Sequence, residues 1–243
     1  MTRGRVRALG FMLAAVLTAA AIWLLSGREG LRPLPARPPQ DQPTLLLLTS
    51  LPLVFGEDFS LQHNGSPALA ALESRYRVLP ISVADPPELA KGRLLMMAQP
   101  LAQPAEDLVA LDHWVRAGGR VLLLADPALE WPSKRPLGDL LRPSPMFMDT
   151  GLLAHWGLRL DAPEGTGLKV QELGGFEVLT DSPGQLFGRC AINRDRLVAH
   201  CAIGKGKATI VADADLLDTA VLGSRAQHNL DGVLEELARL EGP

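Results

Sequence analysis

The stretch that most constrains this chain is GRLLMMAQPLAQPAEDLVALDHWVRAGGRVLLLADP, Gly92–Pro127. RLLMMA and RVLLLA are short, unbroken apolar runs, which suit strands buried on both faces of a parallel sheet. Between them Leu108, Leu111 and Val115 recur at helical spacing. Pro104 fits the start of that helix, and Glu106 and Asp107 place acids in its first turn, where they suit the helix dipole. Gly118 and Gly119 stop it, because glycine takes the left-handed C-cap conformation freely. Two such strands joined by a helix imply a right-handed βαβ unit.

The rest of the folded part fits that unit. TLLLLTS, residues 44–50, is another buried strand. After the long loop LPLVFGEDFSLQHNG, Ser66 and Pro67 read as a helix N-cap followed by proline at the first helical position. YRVLPIS is a strand whose proline points to a sheet edge. Residues 162–203 change character: LKVQEL, FEVLT, QLFGRCAI and RLVAHCAI are short alternating runs that predict antiparallel hairpins. KATIVAD is the last buried strand, and HNLDGVLEELARL closes the chain as an amphipathic helix. The fold class is therefore α/β, Rossmann-like. A mainly parallel sheet carries helices on both faces and an antiparallel β insertion, and one transmembrane helix precedes it.

That last element rests on the N-terminus. MTRGRVR, residues 1–7, carries three arginines and no acid, and residues 8–27 carry no charge at all. Twenty residues rise about 30 Å as a helix, enough to cross the hydrocarbon core. The arginines predict a cytoplasmic N-terminus, which puts the main domain in the periplasm, held to the inner membrane through residues 8–27. TAAA offers a site for signal-peptide cleavage instead, but the apolar run continues past it to Leu25, favouring an uncleaved anchor. Residues 28–43 hold five prolines and predict an extended spacer, with the α/β domain spanning 44–243.

A net charge of −3 with mixed signs, and aromatics at 5%, give no nucleic-acid face. The stretch GKGKATIVADADLLD, residues 204–218, raises the question of phosphate binding. Its glycines lack Walker spacing and precede a strand, where a phosphate loop needs a helix. A hairpin turn with exposed lysines is the simpler reading. No nucleophile elbow and no zinc-type spacing of histidines occurs, so no catalytic residue, metal or cofactor is assigned.

Two constellations remain. If Asp195 and Arg196 form a two-residue turn, Cys190 and Cys201 fall opposite each other, and an exported domain would join them as a disulfide; two free buried thiols are the alternative. Asp126 ends one core strand, and Asp213 and Asp215 end another. Ligands of open α/β sheets gather at such strand ends. With Glu57 and Asp58 from the first loop, these acids are the candidate ligand-binding residues. Against that, an aspartate at a strand end also simply caps the next turn.

LDHWVRAGGRVLLLADP and GKGKATIVADADLLD, about 80 residues apart, together resemble the extracytoplasmic domain of gliding-motility-type ABC-transporter auxiliary proteins and related membrane-anchored domains. HNLDGVLEEL resembles the asparagine and closing helix of the same families. The resemblance implies a class I glutamine amidotransferase-like fold without the nucleophile, and a non-enzymatic accessory module. Its ABC-transporter or envelope partners would be separate chains, since no ATPase motif is present. The alternative is an envelope hydrolase or carbohydrate-processing enzyme that uses the strand-end carboxylates.

Overall fold

The leucine-rich runs form the centre of the molecule. In the computed structural model, which describes residues 32–55, 65–136, 138–139, 141–226 and 228–242, three of them lie side by side. They are β1 (Thr44–Thr49), β3 (Leu94–Ala98) and β4 (Arg120–Leu124). Every residue of β3 is buried, as are the middle four of β1, so both faces of the sheet are covered. β2 (Arg77–Pro80) pairs with β1, and β11 (Gly206–Val211) with β4, all parallel. β10 (Val198–Ile203) and β9 (Ala191–Ile192) extend the sheet antiparallel. The order is β2-β1-β3-β4-β11-β10-β9, seven strands of which the first five are joined by parallel pairings. Pro80 stands in the edge strand β2, where a missing N–H breaks no ladder.

Helix α1 (Pro67–Glu73) starts as its sequence requires: Ser66 Oγ accepts from the Leu69 N–H at 3.0 Å. It is followed by α2 (Pro86–Leu89) and α3 (Ala105–Arg116). α3 is capped at Ala117, and Gly118 follows at φ 120°. α4 (Leu152–His155) leads into β5 (Leu158–Asp161), which pairs antiparallel with β8 (Gln185–Gly188). β6 (Leu168–Leu173) and β7 (Phe176–Asp181) form a separate hairpin. The short helix α5 (Thr219–Leu222) precedes the closing helix α6 (Asn229–Glu241). Val233, Leu234, Leu237 and Leu240 of α6 are buried. The antiparallel region thus divides: β5, β6, β7 and β8 make two small two-stranded sheets, while β9 and β10 join the main one.

The Gly-Lys pairs are the β10–β11 turn. Ile203 faces Gly206, with Gly204 and Lys205 between, and Gly204 takes φ 61°. This turn is wedged against the end of α3: Lys205 N–H donates to Arg116 O at 3.0 Å. A Cβ on Gly206 would stand 2.0 Å from Val115 O and 2.2 Å from Gly119 O. Glycine here is a packing requirement.

Asn229, at the start of α6, is fully buried and bonds only to backbone. Its Oδ1 accepts from Leu179 N–H at 2.8 Å, and its Nδ2 donates to Leu179 O at 2.7 Å and Leu216 O at 2.9 Å. One side chain thereby ties β7, the turn after β11 and α6 together. On the antiparallel edge, Ala199 faces Ile192 and His200 faces Ala191, which brings Cys201 opposite Cys190. The two are joined as a disulfide across a sequence separation of 11.

The Pro-rich stretch departs from its reading as a free spacer. The folded unit begins at Leu34, and residues 34–43 lie against it. Arg37 N–H donates to Ser74 O at 2.8 Å, Arg75 Nη1 donates to Pro35 O, and Arg37 Nη1 reaches Glu241 at 3.0 Å. Proline removes a donor but keeps its carbonyl, so an extended prolyl segment can still be held through its acceptors. Segments 1–7 and 8–27, and residues 28–31 of the spacer, lie outside the described residues. Among the described residues no helix is long and apolar enough to cross a membrane.

Candidate functional site

Chain order fixes where a site can form. β1 has β2 on one side and β3 on the other, so the chain steps outward from β1 to β2 and then crosses back past β1 to β3, reversing direction along the sheet. In sheets with this 2-1-3-4 order, a crevice opens at the carboxyl ends of the strands at that reversal. A crevice of about 380 Å³ lies there. Thr49 and Ser50 from the end of β1 line it, with Ile81 and Ser82 after β2 and Leu101 after β3. Val54, Phe55, Arg135 and Leu141 complete the walls from the loops. Phe55 is 71% exposed, an aromatic face presented to solvent at the rim.

The floor is held by hydrogen bonds. Thr49 Oγ1 donates to Ala98 O at 2.8 Å and accepts from Leu51 N–H at 3.0 Å. Ser50 Oγ donates to Gln99 O. Gln99 is the central piece. It is fully buried, its Nε2 donates to Asp126 O and Ser144 O at 3.1 Å each, and its Oε1 accepts from Asp126 N–H at 3.0 Å. Its φ is 44°, in the left-handed region that costs a non-glycine residue roughly 1–2 kcal/mol. The buried Ser182 takes φ 48°, and both residues precede a proline. Neither was singled out from sequence; the available signal was a polar residue between a strand end and proline, in AQP and DSP.

Behind this floor stand the strand-end acids, and the structure does bring them together. Asp126 and Asp213 are fully buried and Asp215 is 4% exposed. Their oxygens face backbone amides. Asp126 Oδ1 accepts from Ala128 N–H at 2.8 Å, and Oδ2 from Ala214 N–H at 2.9 Å. Asp213 Oδ1 accepts from Leu216 N–H at 2.8 Å, and Oδ2 from Asp181 N–H at 3.1 Å. Asp215 Oδ2 accepts from Glu130 N–H at 2.7 Å. The three carboxyls therefore cap turns and also staple the loops after β4, β7 and β11 to one another. They do not line the crevice. Glu57 and Asp58 lie outside the described residues.

Packing acids this closely, out of water, favours their protonated forms. Burial raises Asp126 to about 6, against the pull of the amides of Ala214, Ala128 and Asp215, and the charge of Asp181 adds to the rise. Asp213 is pushed well above the ordinary carboxylate range by burial, with Asp126 as the next cause. Asp215 is pushed up to about 8, by burial first and then by Asp126, Asp181 and Glu130. Asp215 thus carries a proton at neutral pH. Among the described residues no group of three or more His, Cys, Asp or Glu is arranged to hold a metal ion.

No family model and no curated protein matches this sequence. Solved structures share the fold. The exo-β-1,4-mannosidase Op5Man5 from Opitutaceae bacterium strain TAV5 superposes with a TM-score of 0.51 at 12% identity, over 82% of this chain and 36% of its own. The N-terminal domain of mmIFT52 does so with a TM-score of 0.51 at 13% identity, over 80% of this chain and 97% of its own. The chain spans about a third of the mannosidase's length. At these identities the likeness shows the fold alone. It corrects one expectation: the reading of a chain without enzymatic activity, drawn from the missing catalytic motifs and the family resemblance, is not supported, since the same fold occurs inside a glycoside hydrolase.

Proposed function

We propose that this chain is a carbohydrate-processing domain of the cell envelope that seats a saccharide in the crevice at the carboxyl ends of β1, β2 and β3. The observation that carries the reading is the crevice itself, at the chain reversal between β1 and β3. Its lining suits a sugar ring, which offers an apolar face and a fringe of hydroxyls. Phe55 supplies an exposed aromatic platform, and Ser82 and Arg135 supply polar groups. The fold shared with an exo-β-1,4-mannosidase supports carbohydrate as the ligand class.

Glycoside hydrolysis needs a carboxylic acid that holds its proton near neutral pH and a second carboxylate. Asp215 holds such a proton, but it is buried behind the crevice floor and does not line the crevice, so the acid and base of any hydrolysis are not assigned to the strand-end aspartates. Asp126 and Asp213 hold the loops behind that floor in place. Residues 8–27 anchor the domain in the inner membrane, and the Cys190–Cys201 disulfide suits the oxidising side of it. The resemblance to ABC-transporter auxiliary domains extends the proposal to separate envelope or transporter chains as partners.

The test is calorimetric titration with a panel of mannose-, galactose- and glucose-based oligosaccharides, alongside release of nitrophenol from the matching glycosides. Saturable binding weakened about 3- to 10-fold by Phe55→Ala supports the reading. Absence of binding and of turnover across the panel overturns it.

A further inference from the structure

The amino ends of the parallel strands carry the opposite charge from their carboxyl ends. Arg77 opens β2, Arg93 immediately precedes β3, Arg120 opens β4, and Lys205 and Lys207 sit at the start of β11. Register places them in a row: Lys207 pairs with Arg120, which pairs with Leu94. With strands about 4.8 Å apart, the five positions from β2 to β11 span roughly 20 Å. All but Arg120 are exposed, and none of the five forms an ion pair among the described residues. The acids packed nearby are largely occupied: Glu88 by Lys91, Glu241 by Arg37 and Tyr76, and Asp112 by Arg116. Asp41 and Glu73 remain as exposed acids of the neighbouring segments. A hollow of about 530 Å³ opens among Lys91, Arg93 and Arg120, with Gly92 in its wall and with Glu241, already paired with Arg37, at its side.

The route of the chain gives this face a direction. Residues 34–43 are held against the ends of α1 and α6, through Ser74 and Glu241, and then enter β1 at its amino end. Only residues 28–33 separate the docked segment from the uncharged run that ends at Gly27. Six extended residues reach at most about 20 Å. Any bilayer holding that run is therefore a near neighbour of the domain.

We propose that the amino-end face, centred on Arg93, Arg120 and Lys207, docks onto the anionic phospholipid headgroups of the membrane that anchors the chain. Guanidinium and ammonium groups meet the headgroup phosphates. Docking in this pose turns the crevice, at the other ends of the strands, away from the bilayer. The inference rests on the anchor part of the proposed function and is independent of the carbohydrate part.

The experiment uses the full chain in nanodiscs of neutral phosphatidylcholine or of an equal mixture with phosphatidylglycerol, with lysines footprinted by a membrane-impermeant acetylating ester. Each juxtamembrane cation contributes about a fivefold preference for an anionic surface. Lys205 and Lys207 should react at least about fivefold more slowly in the anionic discs, while Lys169 on β6 should not change. Raising the salt to about 0.5 M should remove the difference. Arg77→Gln with Arg93→Gln, both exposed positions, should weaken docking about 25-fold and restore reactivity. Equal reactivity of Lys205 and Lys207 in both discs overturns the docking. Equal protection by inorganic phosphate in neutral discs assigns the face to a soluble anion and also overturns it. A chain that fails to co-elute with the discs overturns the anchor, and the docking with it.

Discussion

Replacing Asp215 by asparagine isolates the proton that the folded chain holds at the carboxyl end of β11. Asparagine keeps an oxygen to accept from Glu130 N–H, the bond that Asp215 Oδ2 now makes, and cannot ionise. In the folded chain the carboxyl titrates at about 8, and in the unfolded chain at its ordinary 3.8. Between those values the folded state binds the proton and the unfolded state does not. The stability this confers is complete below pH 4 and is lost as pH rises through about 8. About four decades in proton affinity, at about 1.4 kcal/mol each, cap the effect near 6 kcal/mol. Local relaxation and water entry bring a realistic figure down to roughly 1–3 kcal/mol. Urea denaturation from pH 5 to 8.5, wild type against Asp215→Asn, reads the difference. The variant should gain on the wild type steadily as pH rises, by roughly 1–3 kcal/mol, and level off above pH 8. A difference independent of pH would mean that Asp215 is ionised in the folded chain, and the account of the acid cluster would fail.

Three further outcomes follow from the packing. Gly206→Ala drives a methyl into Val115 O and Gly119 O and should cost at least about 3 kcal/mol, seen as a melting temperature lower by roughly 6–12 °C; a near-neutral result would show that the turn does not sit on α3. Asn229→Ala leaves Leu179 N–H, Leu179 O and Leu216 O without their buried partner and should cost roughly 3 kcal/mol, whereas Asn229→Gln tests whether the longer amide can restore any of it. Opening the Cys190–Cys201 loop by reduction should cost about 3 kcal/mol, and two thiols alkylated without reductant in freshly isolated protein would contradict the bond.

Much of the sheet was legible because its strands are unbroken apolar runs bounded by turn residues. RLLMMA, RVLLLA and KATIVAD became β3, β4 and β11, and Gly118 ended α3 where two glycines stood. GKGK declared itself a turn because its glycines precede a strand. Other features depended on distance along the chain. The acids could be placed at strand ends, but their partners lie 88, 85 and 32 residues away, which no local pattern encodes. Gln99 was invisible for the same reason: its two partners, Asp126 and Ser144, come from the far side of β4. The crevice walls come from aperiodic loops, so Phe55, Arg135 and Leu141 carried no signal. The docked segment 34–43 was misread because proline content reports lost donors and is silent about carbonyls that still accept.

The central claim is that the crevice at the ends of β1, β2 and β3 holds a saccharide. The direct measurement is a backbone amide NMR titration of the chain with mannose- and galactose-based oligosaccharides. The account predicts saturable shifts confined to Thr49–Phe55, Ile81–Ser82 and the Arg135 segment, reduced about 3- to 10-fold in affinity by Phe55→Ala. Shifts that cluster elsewhere, or none at saturating sugar, would contradict it.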